Sequence, residues 1–368
     1  MSATRILGPL LALLLLLGIG YGIFVSAGRK AREAGERLAA SAVVEVRGMI
    51  GSEKEGFFSD PRVIDALAKH GLKVQTEKTG SREISQRDTA GYDFGFPAGS
   101  PAAIALKKKA NASQTFTPFF TPMAIASWRA LLPALEAEGL VRQDAGTLYV
   151  VDMKKLMDMI NRGVRWRDLK NNAAYATGKS VLVNSTDIRK SNSAAMYLSL
   201  ASYLANDNNV VGDPADADRI LPPLPALFLR QGLQESSSAG PFEDYTTMGM
   251  GKAPLVMIYE SQFLEYQSRR AKPNPDMVVL YPQPTLFTKH TLVPFTEGGR
   301  KLGEVLSTDP ELQKLAAEYG YRTSDPTHFR DFLKSKGLEA PETIVDVIDP
   351  PSFEILERMI SQIEAKYH

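Results

Sequence analysis

From Val43 onward the chain repeats one pattern: a short apolar run, then a few small polar residues, then apolar residues at helical spacing. Val43 to Ile50 reads as a strand stopped by Gly51 and Ser52. Phe57, Phe58, Val63, Ile64, Leu67 and Ala68 then recur at helical spacing until His70 and Gly71. Leu72 to Thr76 is a second strand, followed by a polar turn at Thr79 to Arg82. Tyr92 to Phe96 is a third, closed by residues 97–101, where Ser100 before Pro101 marks a helix start. Strands that alternate with helices predict an α/β fold with a parallel sheet between covering helices.

The rhythm breaks at Phe116 to Ser127, an apolar extended run stiffened by Pro118 and Pro122, which predicts a segment passing between two lobes. Beyond it come Trp128 to Leu135, a strand at Thr147 to Val151, a helix over Met153 to Gly163 and a strand at Ser180 to Asn184. Asn184 to Asp187 and Ser191 to Ser193 then place hydroxyls and amides in front of the apolar helix that holds Met196, Tyr197, Leu198, Leu200 and Leu204. Ser236 to Gly240 reads as a flexible connection. Leu255 to Tyr259 is a strand ending at Glu260, and Met277 to Tyr281 with Pro282 and Pro284 is a second crossing between lobes. Lys301 to Tyr319 is helical and packs back on the first lobe. Phe353, Leu356, Ile360 and Ile363 line one face of a closing amphipathic helix.

Composition narrows the classes. The balance of 43 basic and 42 acidic side chains leaves no excess positive charge to replace phosphate counterions, which argues against a nucleic-acid platform. With no cysteine, disulfides, thiolate metal sites and a thiol nucleophile are excluded. The uncharged stretch Ile6 to Gly28 would span roughly 34 Å as a helix, long enough to cross a bilayer. Residues 1–28 therefore read as a signal peptide, with Val25, Ser26 and Ala27 as the cleavage pattern, or as a retained membrane anchor. Arg29, Lys30 and Arg32 keep the anchor open. Residues 29–42 read as a charged helical spacer. Either reading puts the globular part outside the cytoplasm, in the periplasm or at the cell surface.

The order of pieces resembles the type II extracytoplasmic solute-binding proteins of ABC transporters. It is carried by residues 51–63 (GSEKEGFFSDPRV), 92–103 (YDFGFPAGSPAA), 148–169, 184–201 (NSTDIRKSNSAAMYLSLA), 253–264 (APLVMIYESQFL) and 294–322. The resemblance implies a two-lobed periplasmic-binding-protein-like fold after the N-terminal signal or anchor helix. Lobe 1 would hold 43–118 and 284–345, lobe 2 119–283, and the C-terminal helix 346–368. It implies a small-molecule ligand held in the cleft, ABC transporter membrane subunits or another membrane complex as partner, no cofactor and no enzymatic activity. The leader lacks a lipobox Cys, and the chain continues past the family's usual last helix.

Candidate ligand contacts follow from the chemistry of helix starts, where unpaired N–H groups and partial positive charge suit anions as well as capping side chains. Ser52 with Lys54 follows the first strand and reads equally as a plain cap. Ser191, Asn192 and Ser193 supply more donors than a cap needs. Thr79, Ser81 and Arg82 could grip an acidic group through a turn and a guanidinium. Gly99 and Ser100 would add backbone amides. Tyr259 and Glu260 either cover the cleft or are a core Tyr and a rim Glu. The set predicts a small polar, anionic solute. Other signals fail. Gly178, Lys179 and Ser180 imitate a phosphate loop, but Ala173 stands where its first Gly belongs. The four histidines are isolated in sequence, and no HExxH, GxSxG or SxxK occurs, so neither a catalytic zinc nor a familiar serine nucleophile is expected.

Overall fold

The computed structural model describes residues 43–367 apart from 145 and 233, so the expected leader 1–28 and spacer 29–42 lie outside the described residues. Among the described residues, no helix is long and apolar enough to cross a membrane.

The strands are β1 Val44–Ile50, β2 Leu72–Lys78, β3 Phe94–Phe96, β4 Phe116–Trp128, β5 Val141–Gln143, β6 Tyr149–Asp152, β7 Val256–Tyr259, β8 Met277–Gln283 and β9 Phe287–Pro294. They form one continuous path in the order β2-β1-β3-β9-β4-β8-β6-β5, with β7 also paired to β4. The first pairs, β1 with β2 and β3, are parallel, as the strand–helix alternation predicts. The fold is α/β and two-lobed, and β4 belongs to both lobes. Its residues Phe116 to Pro122 pair with β9, whereas Met123 to Trp128 pair with β7 and β8. Proline removes a ladder donor and is tolerated in strands at edges and bulges. Pro118 falls where the register shifts between Phe116 and Phe119, so the crossing segment is a strand despite its prolines.

The central strands β3, β4, β7, β8 and β9 are buried on both faces, which explains their near-continuous apolar runs, whereas the edge strand β2 is largely exposed. In the first lobe Ile50 and Leu292 pack on one side with Phe57, Val63 and Leu302. Their strand neighbours Met49 and Val293 pack on the other with Ile84, Ala103 and Leu106. In the second lobe Met123, Ile125 and Leu280 face the helix Asn192–Ala205, while Ala124, Ala126 and Val279 face the opposite side. The helix Pro326–Lys336, which the sequence assigns to the first lobe, puts Phe329, Phe332 and Leu333 into this last cluster.

Three local expectations need correction. The stretch Thr79 to Arg82 is not a simple turn, because the helix Ser81–Gln86 starts there and buries Ile84. Ser180 to Asn184 forms no strand; Ser180 and Asn184 make only isolated bridges, to Arg165 and to Val256, leaving Val181 and Val183 between them as core residues. The helical stretch 301–319 is two helices, Glu297–Thr308 and Pro310–Glu318, because Asp309 ends one and caps the next through the Leu312 N–H at 2.9 Å. Both pack on the first lobe. The closing helix is Phe353–Glu364, with Ile355, Leu356, Met359, Ile360 and Ile363 buried and Phe353 only partly so.

Candidate functional site

A cavity of ≈ 410 Å³ lies beyond the carboxyl ends of β1, β2 and β7, the edge at which open α/β sheets bind ligands. Its walls are helix starts. Gly51 precedes the short turn Ser52–Lys54, Gly80 the helix Ser81–Gln86, Ser191 the helix Asn192–Ala205, Ser238 the helix Ala239–Met248 and Tyr259 the helix Glu260–Ser268, and all five cap residues line the cavity. Four of them, Gly51, Gly80, Ser191 and Ser238, make no side-chain cap bond. By contrast, the helices capped by the side chains of Asp60, Asp152, Asp213, Thr296, Asp309, Asp325 and Ser352 all begin away from the cavity. Helix starts elsewhere, at Gly99, Leu131 and Pro225, also lack a cap bond from their own cap residue. Three of the starts here have an acceptor from a neighbouring side chain: the Ala194 N–H donates to Thr186 Oγ1 and the Ser261 N–H to Thr121 Oγ1, both at 3.1 Å, and the Ala239 N–H to Ser237 Oγ at 3.2 Å. The converging starts direct the partial positive charge of their first turns at one space.

The lobes meet closely around this space. Ser237 Oγ donates to Ser52 Oγ at 2.8 Å. A Cβ on Gly80 would lie 2.6 Å from the Lys190 carbonyl oxygen, and one on Gly99 would lie 2.3 Å from Asn192 Oδ1. Glycine at 80 is therefore required by close approach of backbone across the cleft, since its φ of −62° suits any residue.

Of the residues singled out from sequence, Ser52, Thr79, Ser81, Arg82, Ser191, Asn192 and Tyr259 line the cavity. Asn192 Nδ2 donates to the Tyr259 hydroxyl at 3.1 Å. Burial and nearby Glu53 push the Tyr259 phenol well above its usual pKa, so it stays protonated. Ser81 Oγ accepts the Ala98 N–H at 2.9 Å, which ties the 97–100 loop to the site. Gly99 stands against Asn192, and neither it nor Ser100 is in the wall. Ser193 is fully buried behind the wall, and its Oγ has no hydrogen-bond partner.

Two expected contacts face elsewhere. Lys54 is fully buried beneath the floor, paired with Glu53, 3.1 Å from His290 Nδ1 and over the Phe96 ring at 4.9 Å. Glu260 is not a rim residue but is fully buried: Arg322 donates to both its oxygens at 2.8 Å, and the Tyr281 hydroxyl donates at 2.8 Å. Arg82 lines the cavity, but its Nε and Nη2 donate to Glu357 at 2.7 and 2.8 Å, and its Nη1 to the Arg189 carbonyl.

Sequence reasoning missed Glu53, Lys78, Arg189, Lys190 and Ser236 to Ser238. The three consecutive serines carried the same signal as 191–193, and they stand just before the start of a helix. The side chains in the wall include four basic residues, Lys78, Arg82, Arg189 and Lys190, and two acidic ones, Glu53 and Glu83.

No family model and no curated protein matches the chain. Solved structures do. The chain is similar to a periplasmic thiamin binding protein at TM-score 0.56 and 11% identity, covering 88% of this chain and 96% of that one. It is similar to iron-bound HitA from Pseudomonas aeruginosa at 0.54 and 11%, covering 88% and 99%. The sulfate-binding protein SubI from Mycobacterium tuberculosis H37Rv matches at 0.51 and 15%, covering 85% and 96%. The fold is that of the two-lobed type II periplasmic binding proteins, as the order of sequence elements suggested.

Proposed function

We propose that this chain is an extracytoplasmic binding protein that captures a small polar anion between its lobes and presents the closed form to an ABC importer. The convergence of five helix starts on one cavity carries this reading. Such starts stabilise negative charge without placing a full cation against it. The cavity of ≈ 410 Å³ suits a solute of a few to a dozen heavy atoms. Closing would be driven only by the difference in solute affinity between open and closed forms. No group in the wall needs to do covalent chemistry for this task. The lobes divide as 43–118 with 284–345 and 119–283, save that the helix Pro326–Lys336 packs with the second lobe, and they are joined along β4 and between β8 and β9.

The test is native mass spectrometry of protein purified without refolding, followed by calorimetry with oxyanions, carboxylates, amines and neutral sugars. A carried-over anion, or heats from anions alone, supports the reading. Binding of cationic or neutral solutes only removes the anion class.

A second reading, a membrane-anchored sensor or scaffold with the same fold, is favoured by the basic cluster Arg29, Lys30 and Arg32 directly after the apolar stretch 6–28. Mass measurement of the N-terminus separates the two. A start at Gly28 fits a free carrier, and an intact Met1 or Ser2 fits the anchor.

A further inference from the structure

The helix Phe353–Glu364 touches both lobes at the mouth of the cavity. Its apolar face, Ile355, Leu356, Met359, Ile360 and Ile363, belongs to the second-lobe core with Leu198, Ala201 and Ala217. Its polar side is fastened to the same lobe: Arg358 donates to Asp218 at 2.9 and 2.6 Å, Gln362 to Asp218 at 2.7 Å, and the Tyr367 hydroxyl to Gln234 at 2.9 Å. From this platform Glu357 reaches across to the first lobe. Both its oxygens accept from the Arg82 guanidinium at 2.7 and 2.8 Å, and Gln86 Nε2 adds a bond at 3.2 Å.

The third arm of the same guanidinium donates to the Arg189 carbonyl, and the Arg189 guanidinium lies over the Tyr367 ring at 4.7 Å. Arg82 is therefore held in a fork by two segments of the opposite lobe. A planar guanidinium with all three nitrogens engaged is a directional joint, and a lysine could not reproduce it. Its side chain is 16% exposed and that of Glu357 20%, so solvent screens the pair less than it would a surface bridge.

The geometry points to a latch: the C-terminal helix, through Glu357 and Arg82, holds the lobes together when no solute is present and so sets the balance between open and closed forms. Opening the cleft must break this joint, because its two partners sit on different lobes. The solute then competes with, or adds to, a closing contact already built into the chain. The latch goes beyond the proposed transport role and does not depend on which solute binds.

The absence of cysteine makes the test direct. Spin labels at Lys108→Cys and Glu243→Cys, exposed positions on the helices Ser100–Lys109 and Ala239–Met248, report the distance between lobes by pulsed electron resonance in the solute-free, full-length chain. Glu357→Gln should add a longer-distance population that the parent chain lacks. Arg358→Ala, which loosens the same helix only within its own lobe, should leave the distances unchanged. Circular dichroism confirms that both variants stay folded. An unchanged distribution in Glu357→Gln, equal opening in Arg358→Ala, or a parent chain already open overturns the latch.

Discussion

His290 Nδ1 lies 3.1 Å from the Lys54 ammonium, with both side chains fully buried beneath the cavity floor. The same imidazole faces Glu53 Oε1 at 3.5 Å and the rings of Phe119, Tyr259 and Tyr321, and its Nε2 has no partner. Burial, with Lys54 adding to it, lowers the His290 pKa well below its usual value.

This arrangement fixes a pH dependence. Unfolded, His290 takes up a proton near pH 6.5; folded, it does not, so below that pH the unfolded state binds more protons and stability falls. The loss should approach about 1.4 kcal/mol per pH unit between pH 6.5 and 5, above the range where carboxylates titrate. Urea midpoints across this window should show it, and His290→Gln should flatten the slope. An identical slope in the variant would assign the effect to other groups.

Ser191 makes no cap bond and Ser193 Oγ has no partner, so the folded chain loses no hydrogen bond when both become Ala. The double variant should keep or slightly raise the melting temperature of the empty protein. Its affinity for the anion bound best in the calorimetric series should fall about 2- to 12-fold, the worth of the one hydrogen bond that Ser191 can offer from the wall, since Ser193 lies behind it. A lower melting temperature with unaltered affinity would reduce these residues to structural parts of the helix start.

Gly80→Ala sets a Cβ 2.6 Å from the Lys190 carbonyl, a backbone atom that cannot swing aside. The cost, about 1–3 kcal/mol by analogy with overpacking, falls on the closed form, where the lobes touch. Solute affinity should drop more than thermal stability does. Calorimetry paired with a melting curve measures both, and equal affinity would show that the loops part without closing less.

Glu260→Ala leaves the Arg322 guanidinium buried without its carboxylate. Breaking such a pair by removing one partner costs about 3–5 kcal/mol, read as a lower urea midpoint. Material that remains folded should bind solute as before, since Glu260 lies outside the cavity wall. Reduced affinity with unchanged stability would return Glu260 to the cleft.

The positions legible in sequence were those decided locally. Gly51 with Ser52, and Ser191 with Asn192, sit where a strand or loop gives way to a helix, and the same few residues that start the helix also face the cavity. Lys54 and Glu260 were misread because their direction depends on distant partners: His290 and Arg322 turn them into the core from 236 and 62 residues away. Arg82 was legible as a wall residue but not as one already held, because Glu357 lies 275 positions further on. Segment 180–184 had the composition of a strand, yet it makes two isolated bridges, Ser180 to Arg165 and Asn184 to Val256, rather than a ladder.

One ribbon, β4, is stitched into two sheets at once, its first half beside β9 and its second beside β7 and β8. Neither half of the molecule has a complete seam of its own without that ribbon. Cutting the chain there would strip both cores together, so the two lobes are expected to melt as one, in a single transition.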